Sequence, residues 1–110
     1  MAQEGKCGLK DIEINQTKTG RVVEGDPEWI VVIKNKCDCP TYDLIIRCLG
    51  FSTVEPVDPK YLKQLDGGDD CLVNNGDFIL PSKPFSFKYA WKTPTDLIPK
   101  KFKADTSKCS

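Results

Sequence analysis

The residues of this chain whose type and number most clearly indicate chemistry are its cysteines. Cys7, Cys37, Cys39, Cys48, Cys71 and Cys109 form an even set in a chain of 110 residues. Even sets in short chains are typical of disulfide frameworks in secreted proteins, and each bridge contributes about 2–4 kcal/mol to stability. We therefore expect all six to be oxidised. The count alone leaves about 15 pairings open.

Metal binding is the first alternative use of these thiols. Zinc sites need Cys-x-x-Cys pairs or added histidine, whereas this chain has one close pair, Cys37 and Cys39, and no histidine. The sequence therefore predicts no metal and no cofactor. A reduced protein that buries six free thiols in its core is a second alternative, because free cysteine packs as a small hydrophobic side chain.

Catalytic groups are hard to find. The absence of histidine excludes the usual serine and cysteine triads and histidine acid-base catalysis, and no serine is followed by lysine three residues later. Two carboxylate clusters remain, Glu24, Asp26 and Glu28 in one and Asp66, Asp69 and Asp70 in the other. Both stand beside glycine, where acidic residues are typical of turns. We predict that the chain is not an enzyme.

Charge and hydropathy exclude two further classes. Lys and Arg together number 16, as do Asp and Glu, so no basic excess indicates a nucleic-acid partner. No stretch approaches the roughly 18 apolar residues of a membrane span. Residues 1–6 lack a signal-peptide core and are predicted to be a disordered N-terminal leader of the mature chain, followed by a single cysteine-rich β domain over 7–110. An oxidised chain predicts secretion, with a signal upstream in the precursor, and Asn15-Gln16-Thr17 fits the N-glycosylation pattern.

The cysteines and carboxylates named above are expected to lie on or between β-strands, because apolar residues recur in short alternating runs between turn-forming residues. Ile12, Ile14 and Gln16 predict the inner face of a first strand, with Asn15 pointing to solvent. The β-branched run Trp29–Ile33 is apolar on both faces, which is typical of a central strand. The short link 36–41 then predicts an antiparallel hairpin with residues 42–48.

The second half of the chain combines turns with an aromatic strand. Asp58 and the following proline predict a short helix over 59–65. The Asn74-Asn75-Gly76 step predicts a hairpin between 72–73 and 78–80. Residues 100–103 predict a last strand. Phe85, Phe87, Tyr89 and Trp91 alternate along one strand and form either a core face or a carbohydrate-stacking surface.

Together these patterns predict an all-β fold: a small, disulfide-stapled antiparallel β-sandwich with one short helix. Several strings add a family resemblance. They are 35–39, 47–48, 54–59, 69–76, 85–91 and the terminal Cys109. In these strings the chain resembles the plant TAPETUM DETERMINANT family over nearly all residues from Cys7 onward.

The resemblance implies a secreted signalling ligand of the apoplast, whose founding member is recognised by the EXCESS MICROSPOROCYTES leucine-rich-repeat receptor kinase in specifying tapetal cell fate in anthers. Here only Lys6 precedes Cys7, where the founding member has an extended basic stretch with a dibasic processing site. The alternative function is a cell-wall module that binds polysaccharide through its aromatic strand.

Exposed turns and the last strand are the predicted partner-binding segments, because connecting segments project from a scaffold and hold its charge. The candidates are Asp69, Asp70, Asn74, Asn75, Lys100, Lys101 and Lys103. Our predicted disulfide pairing is Cys7 with Cys39, Cys37 with Cys109 and Cys48 with Cys71. The last bridge would close a loop over the short helix.

Overall fold

Seven strands form two antiparallel sheets in the computed structural model, which describes residues 7–109. A three-stranded sheet has the order β1-β2-β6, with β1 at Ile12–Val23, β2 at Asp26–Asn35 and β6 at Phe85–Ala90. A four-stranded sheet has the order β4-β5-β3-β7, with β3 at Thr41–Arg47, β4 at Leu62–Gln64, β5 at Asp70–Val73 and β7 at Ile98–Ala104. The predicted all-β, disulfide-stapled fold is confirmed. The predicted leader at residues 1–6 lies outside the described residues.

Helical structure within residues 7–109 is confined to three short 3-10 turns, at Leu9–Asp11, Asn74–Gly76 and Thr106–Lys108. None of these turns has the length and apolar character that a helix needs to cross a membrane.

The predicted central strand is confirmed, because β2 lies between β1 and β6. The turn that joins β1 to β2 consists of Glu24 and Gly25, between the paired residues Val23 and Asp26. Both turn residues have positive φ, 50° and 86°, which matches the twist of a two-residue hairpin. Glu24 therefore lies in a turn, in agreement with the prediction that acidic residues beside glycine serve turns.

Two predicted hairpins are wrong for the same physical reason. β2 does not pair with β3, because both edges of β2 are already occupied by β1 and β6, so the link 36–40 crosses to the other sheet. Likewise β5 is flanked by β4 and β3, and the chain after the Asn74–Gly76 turn does not pair with it. Instead Ile79 forms a bridge with Thr41.

The predicted helix over 59–65 is also wrong. Asp58 does begin a turn, in which its Oδ1 accepts a hydrogen bond from the Lys60 amide at 2.9 Å and its carbonyl accepts one from Tyr61 at 2.8 Å. The chain then enters β4, since Leu62–Gln64 finds its hydrogen-bond partners on β5. The long-range ladder outweighs a local helix of barely two turns.

The core lies between the two sheets and draws on both. Its members include Ile12, Val31, Ile33 and Phe87 from the three-stranded sheet and Leu44, Ile46, Leu62 and Val73 from the four-stranded sheet. Phe87 is 4% exposed and Tyr89 is 0% exposed. A carbohydrate-stacking surface needs exposed rings, so the hypothesis that this strand face binds polysaccharide is wrong, and the stripe is core.

Disulfides join Cys7 to Cys37, Cys39 to Cys109 and Cys48 to Cys71. The predicted Cys48–Cys71 bridge is confirmed, and the other two predicted pairings, Cys7 with Cys39 and Cys37 with Cys109, are wrong.

Strand register explains the difference. Ile12 pairs with Asn35, which brings the segments that carry Cys7 and Cys37 to one end of the β1–β2 ladder. Thr41 pairs with Ala104, which does the same for Cys39 and Cys109.

Candidate interaction surface

All seven predicted partner-binding residues lie on or beside the four-stranded sheet. Asp69 directly precedes β5, and Asp70 begins it. Asn74 and Asn75 lie in the turn that follows β5. Lys100, Lys101 and Lys103 lie on β7. We refer to these seven residues together with Asp43 as the charged surface. Because β3 separates β5 from β7, the acidic and basic groups flank one strand. The structure therefore brings together three segments that are distant in sequence.

Asp70 and Lys100 form the closest ion pair of this surface. The Lys100 Nζ donates to the Asp70 Oδ2 at 2.6 Å across the intervening strand β3. The Asp70 side chain is 25% exposed and that of Lys100 is 44% exposed, so solvent screens the pair only in part. Next to them, the Asp69 carbonyl accepts a hydrogen bond from the Cys48 amide at 2.9 Å, while its residue as a whole stays exposed.

Asp43 is the residue of this surface that sequence reasoning missed. It lies within β3 at a φ of 51°, an unusual conformation for an L-residue in a strand. Its Oδ2 is 3.6 Å from the Lys103 Nζ. A Cβ at Gly76 would come within 2.9 Å of its Oδ1, so Gly76 is required by this close approach as well as by its φ of 80°. Asp43 thus links β7 to the Asn74–Gly76 turn. An acidic residue inside an otherwise apolar strand was the available signal.

The Asn74–Gly76 turn is fixed by its own hydrogen bonds. The Asn74 amide donates to the Tyr61 carbonyl at 2.9 Å, and the Asn74 Nδ2 donates to the Phe78 carbonyl at 3.2 Å. Asn74, Asn75 and Gly76 all have positive φ, a conformation that asparagine and glycine adopt more readily than other residues. Asn75 is exposed at the tip of this turn.

Three sulfur atoms, those of Cys7, Cys37 and Cys39, lie within 4.8 Å of one another. Such a cluster has the spacing of a metal site, but zinc binds the thiolate form of cysteine. Each of these sulfurs is held in a disulfide instead. The cluster is therefore a pair of adjacent bridges that closes one end of the domain.

The carboxylate cluster of Glu24, Asp26 and Glu28 lies outside the charged surface, at the β1–β2 hairpin. Glu28 is 1% exposed, and its Oε1 accepts a hydrogen bond from the Thr19 hydroxyl at 2.7 Å. That bond is the main reason why the pKa of Glu28 is lowered. Its neighbour is Glu55, which the sequence analysis did not single out. Burial, together with the adjoining Glu28 carboxylate, raises the pKa of Glu55.

The two members of this glutamate pair differ in exposure, since Glu28 is buried and Glu55 is partly exposed. The Glu28 Oε2 and the Glu55 Oε1 are both buried without a hydrogen-bond partner, and the Arg21 Nη1 is 3.7 Å from the former. Catalytic carboxylates need access to the bond that they cleave. Glu28 is therefore shielded from solvent, and the charged surface is the more accessible candidate for function.

Comparison with known proteins identifies the family of this chain. Residues 8–105 match the family profile described as "Tapetum determinant 1, C-terminal". The chain belongs to the tapetum determinant 1 family. The matched range includes all seven strands described above and four of the six cysteines, with Cys7 and Cys109 just outside it.

Several curated proteins resemble this family member along most of its length. "TPD1 protein homolog 1" of Arabidopsis thaliana is 38% identical over 86 residues, which cover 76% of this chain and 48% of that protein. "TPD1 protein homolog 1A" of Oryza sativa subsp. japonica is 32% identical over 96% of this chain and 48% of its own length. The chain thus spans about half the length of these relatives. No solved structure matches it.

Proposed function

We propose that this member of the tapetum determinant 1 family is a secreted plant signalling ligand of the apoplast, recognised by the ectodomain of a leucine-rich-repeat receptor kinase in cell-fate specification. The observation that carries the proposal is the family match over residues 8–105. Three disulfides in so small a domain agree with an extracellular protein, because such bridges persist in oxidising compartments.

The structure supports recognition through shape. Bridges at Cys39–Cys109 and Cys48–Cys71 hold β3, β5 and β7 in place, so the charged surface is ordered before it meets a partner. A surface ordered in advance loses little conformational entropy on binding. The concave face of a repeat protein offers an extended surface that such a rigid domain fits.

We further propose that the activity needs no catalytic group and no cofactor. The candidate acids of the sequence serve other roles in the structure: Glu24 forms a turn and Glu28 is buried. Asp70 is engaged with Lys100. Surface complementarity is then the mode of action, and electrostatic contacts at the charged surface set specificity and association rate more than overall affinity.

Binding to a receptor ectodomain tests the proposal. Oxidised protein should bind an immobilised leucine-rich-repeat ectodomain of this class in biolayer interferometry, and reduction followed by alkylation should abolish the signal. Lys101→Glu combined with Lys103→Glu should weaken binding, because both exposed side chains lie on β7 of the charged surface. Lys34→Glu is the matched control, since Lys34 is exposed on β2 of the other sheet.

Two outcomes would overturn the proposal. One is equal binding by the reduced, alkylated chain, because recognition would then not depend on the folded shape. The other is retention of the oxidised chain by cell-wall polysaccharide from a plant cell-surface panel that also contains repeat receptors, none of which retains it.

A further inference from the structure

The first strand presents two different faces. Gln16 points to the core, where its Oε1 accepts a hydrogen bond from the Tyr89 hydroxyl and its Nε2 donates to the Thr95 carbonyl at 2.7 Å. Successive side chains of a strand point to opposite faces. Asn15 and Thr17 therefore lie on the outer face of the three-stranded sheet, and both are exposed.

Two apolar side chains occupy the strand next to them. Asn15 pairs with Val32 and Thr17 pairs with Ile30, so each polar residue stands directly opposite an apolar one. Directly opposed residues on one face have Cβ atoms about 4.5–5.5 Å apart. Ile30 and Val32 are half-buried and lie on the central strand β2. They form an apolar strip on the outside of the domain, on the face away from the four-stranded sheet.

We propose that Asn15 carries an N-linked glycan, whose first sugar residue packs over Val32 and Ile30 and covers the outer face of the three-stranded sheet. Asn15-Gln16-Thr17 has the acceptor pattern, while Asn35, Asn74 and Asn75 are not followed two residues later by Ser or Thr. The inference rests on the secretion included in the proposed function, since the modification is made in the secretory pathway.

The transfer step is compatible with the observed contacts. The co-reactant is a lipid-linked diphosphate oligosaccharide, and a bond forms between the Asn15 Nδ2 and the anomeric carbon of its first sugar. The bond from that carbon to the diphosphate oxygen breaks, the lipid diphosphate leaves with the electron pair, and Nδ2 gives up one proton. Since an amide nitrogen carries two protons, the remaining one keeps the hydrogen bond from Nδ2 to the Glu13 Oε2, which is 2.6 Å long.

The position of Asn15 keeps the glycan away from the proposed receptor contacts. Asn15 is on the outside of the three-stranded sheet, whereas the charged surface belongs to the four-stranded sheet across the core. A glycan here would therefore cover an apolar strip and leave the charged surface open. It would also shield β1, an edge strand of its sheet, from pairing with another chain.

The test is expression with a signal peptide in plant cells, followed by intact mass measurement with and without peptide-N-glycosidase A. The unmodified sequence should show a mass increase of one oligosaccharide, in secreted protein or in microsomal membranes alike. Asn15→Gln and Thr17→Ala should each lose it. Thr17→Ser should retain it, because serine also completes the acceptor pattern. Asn75→Gln, at an exposed site outside the pattern, should retain it as well.

Binding of an apolar dye tests whether the glycan packs over the apolar strip. Enzymatically deglycosylated protein should bind more of an apolar fluorescent dye than glycosylated protein, and Val32→Ser should remove most of that difference. An equal dye signal from both forms would overturn the packing part of the proposal.

Receptor binding separates this inference from the proposed function. A secreted chain that binds its receptor but carries no glycan at Asn15 overturns only the inference made here. A chain that carries the glycan and binds no repeat receptor overturns only the ligand role.

Discussion

The two sheets of this domain differ in regularity and in what holds them together. In the three-stranded sheet the strands have 12, 10 and 6 residues; the β1–β2 ladder shifts register once, between Lys18 and Val22, and the β2–β6 ladder has no shift. In the four-stranded sheet they have 7, 3, 4 and 7 residues, and the β3–β7 ladder shifts register twice. The buried Cys48–Cys71 bridge ties β3 to β5 within this second sheet.

The comparison shows that the two sheets of one small domain are stabilised in different ways. The long ladders are held by backbone hydrogen bonds and by the aromatic core, and they need few cross-links. The short strands have less ladder to hold them, so covalent bridges matter more there. Register shifts also turn side chains out of the regular alternation, and Asp43 reaches Lys103 from one such position.

Removal of the buried bridge should have the largest effect. Cys48→Ala with Cys71→Ala opens a loop with a sequence separation of 23 residues, which should lower the free energy of unfolding by about 3 kcal/mol through chain entropy. Loss of two fully buried sulfurs should add about 1–2 kcal/mol. Urea unfolding followed by tryptophan fluorescence measures the total.

The matched control is Cys7→Ala with Cys37→Ala, at the end of the three-stranded sheet. Its sequence separation of 30 residues gives a similar entropy change of about 3 kcal/mol, but Cys7 is only half-buried. We expect the control to be less destabilised than the variant at Cys48 and Cys71. If the two variants lost equal stability, the four-stranded sheet would not depend more on its bridge, and the comparison would fail.

Removing the hydrogen bonds that connect the three-stranded sheet to the loop before β7 should lower the free energy of unfolding by a smaller amount. The Tyr89 hydroxyl accepts a hydrogen bond from the Thr95 amide at 2.9 Å and donates one to the Gln16 side chain. Tyr89→Phe leaves both partners unpaired next to the core, which should cost about 1–3 kcal/mol. Tyr61→Phe, on a ring that is 46% exposed, is the control and should be close to neutral in the same unfolding assay.

Local pattern predicted the strands well, because alternation and β-branching depend only on neighbouring residues. The central position of β2 followed from that pattern, whereas the alternation of aromatic residues left open whether Phe87 and Tyr89 face the core. Partner choice did not, since it depends on which edges the rest of the chain has already occupied. Both wrong hairpins, at 36–41 and at Asn74–Gly76, failed for that reason.

The candidate site, too, was predicted only in part from the local sequence. Polar turns and a lysine-rich strand predicted where exposed charge would lie, and the seven residues do adjoin one sheet. Asp43 and Glu55 were missed because their roles come from distant partners, Lys103 and Glu28. Neither partnership has a signature in the local sequence.

The pH dependence of stability should report on the pair formed by Glu28 and Glu55. The pKa of Glu55 is raised, so the folded state holds a proton that the unfolded chain releases above the ordinary value of 4.5. Stability should therefore fall as pH rises from 4.5 through the raised pKa. Glu28, whose pKa is lowered, acts in the opposite direction below 4.5. Arg21 on β1 and Lys88 on β6 face both groups and moderate the shift in Glu55.

The Glu55→Gln variant tests the direction of this pH dependence. The amide is neutral at every pH, so the fall in melting temperature above pH 4.5 should disappear. We expect a smaller effect than at Tyr89, because Glu55 is partly exposed and solvent screens its charge. A profile that kept its slope in Glu55→Gln would assign the pH dependence to other groups.

The smallest effects on stability are expected at the charged surface. In a double-mutant cycle, Asp70→Ala and Lys100→Ala should show a coupling of about 0.2–1 kcal/mol, because their 2.6 Å contact is partly shielded from solvent. Asp43→Ala and Lys103→Ala should couple more weakly, since their charged atoms are 3.6 Å apart and their side chains are 48% and 67% exposed. Both couplings should shrink at high ionic strength, where exposed charges are screened over about 3 Å. A coupling at Asp43–Lys103 as large as that at Asp70–Lys100 would contradict this ranking. Small stability effects would also make these four side chains suitable for binding measurements, because a loss of receptor affinity in such variants could not be attributed to unfolding.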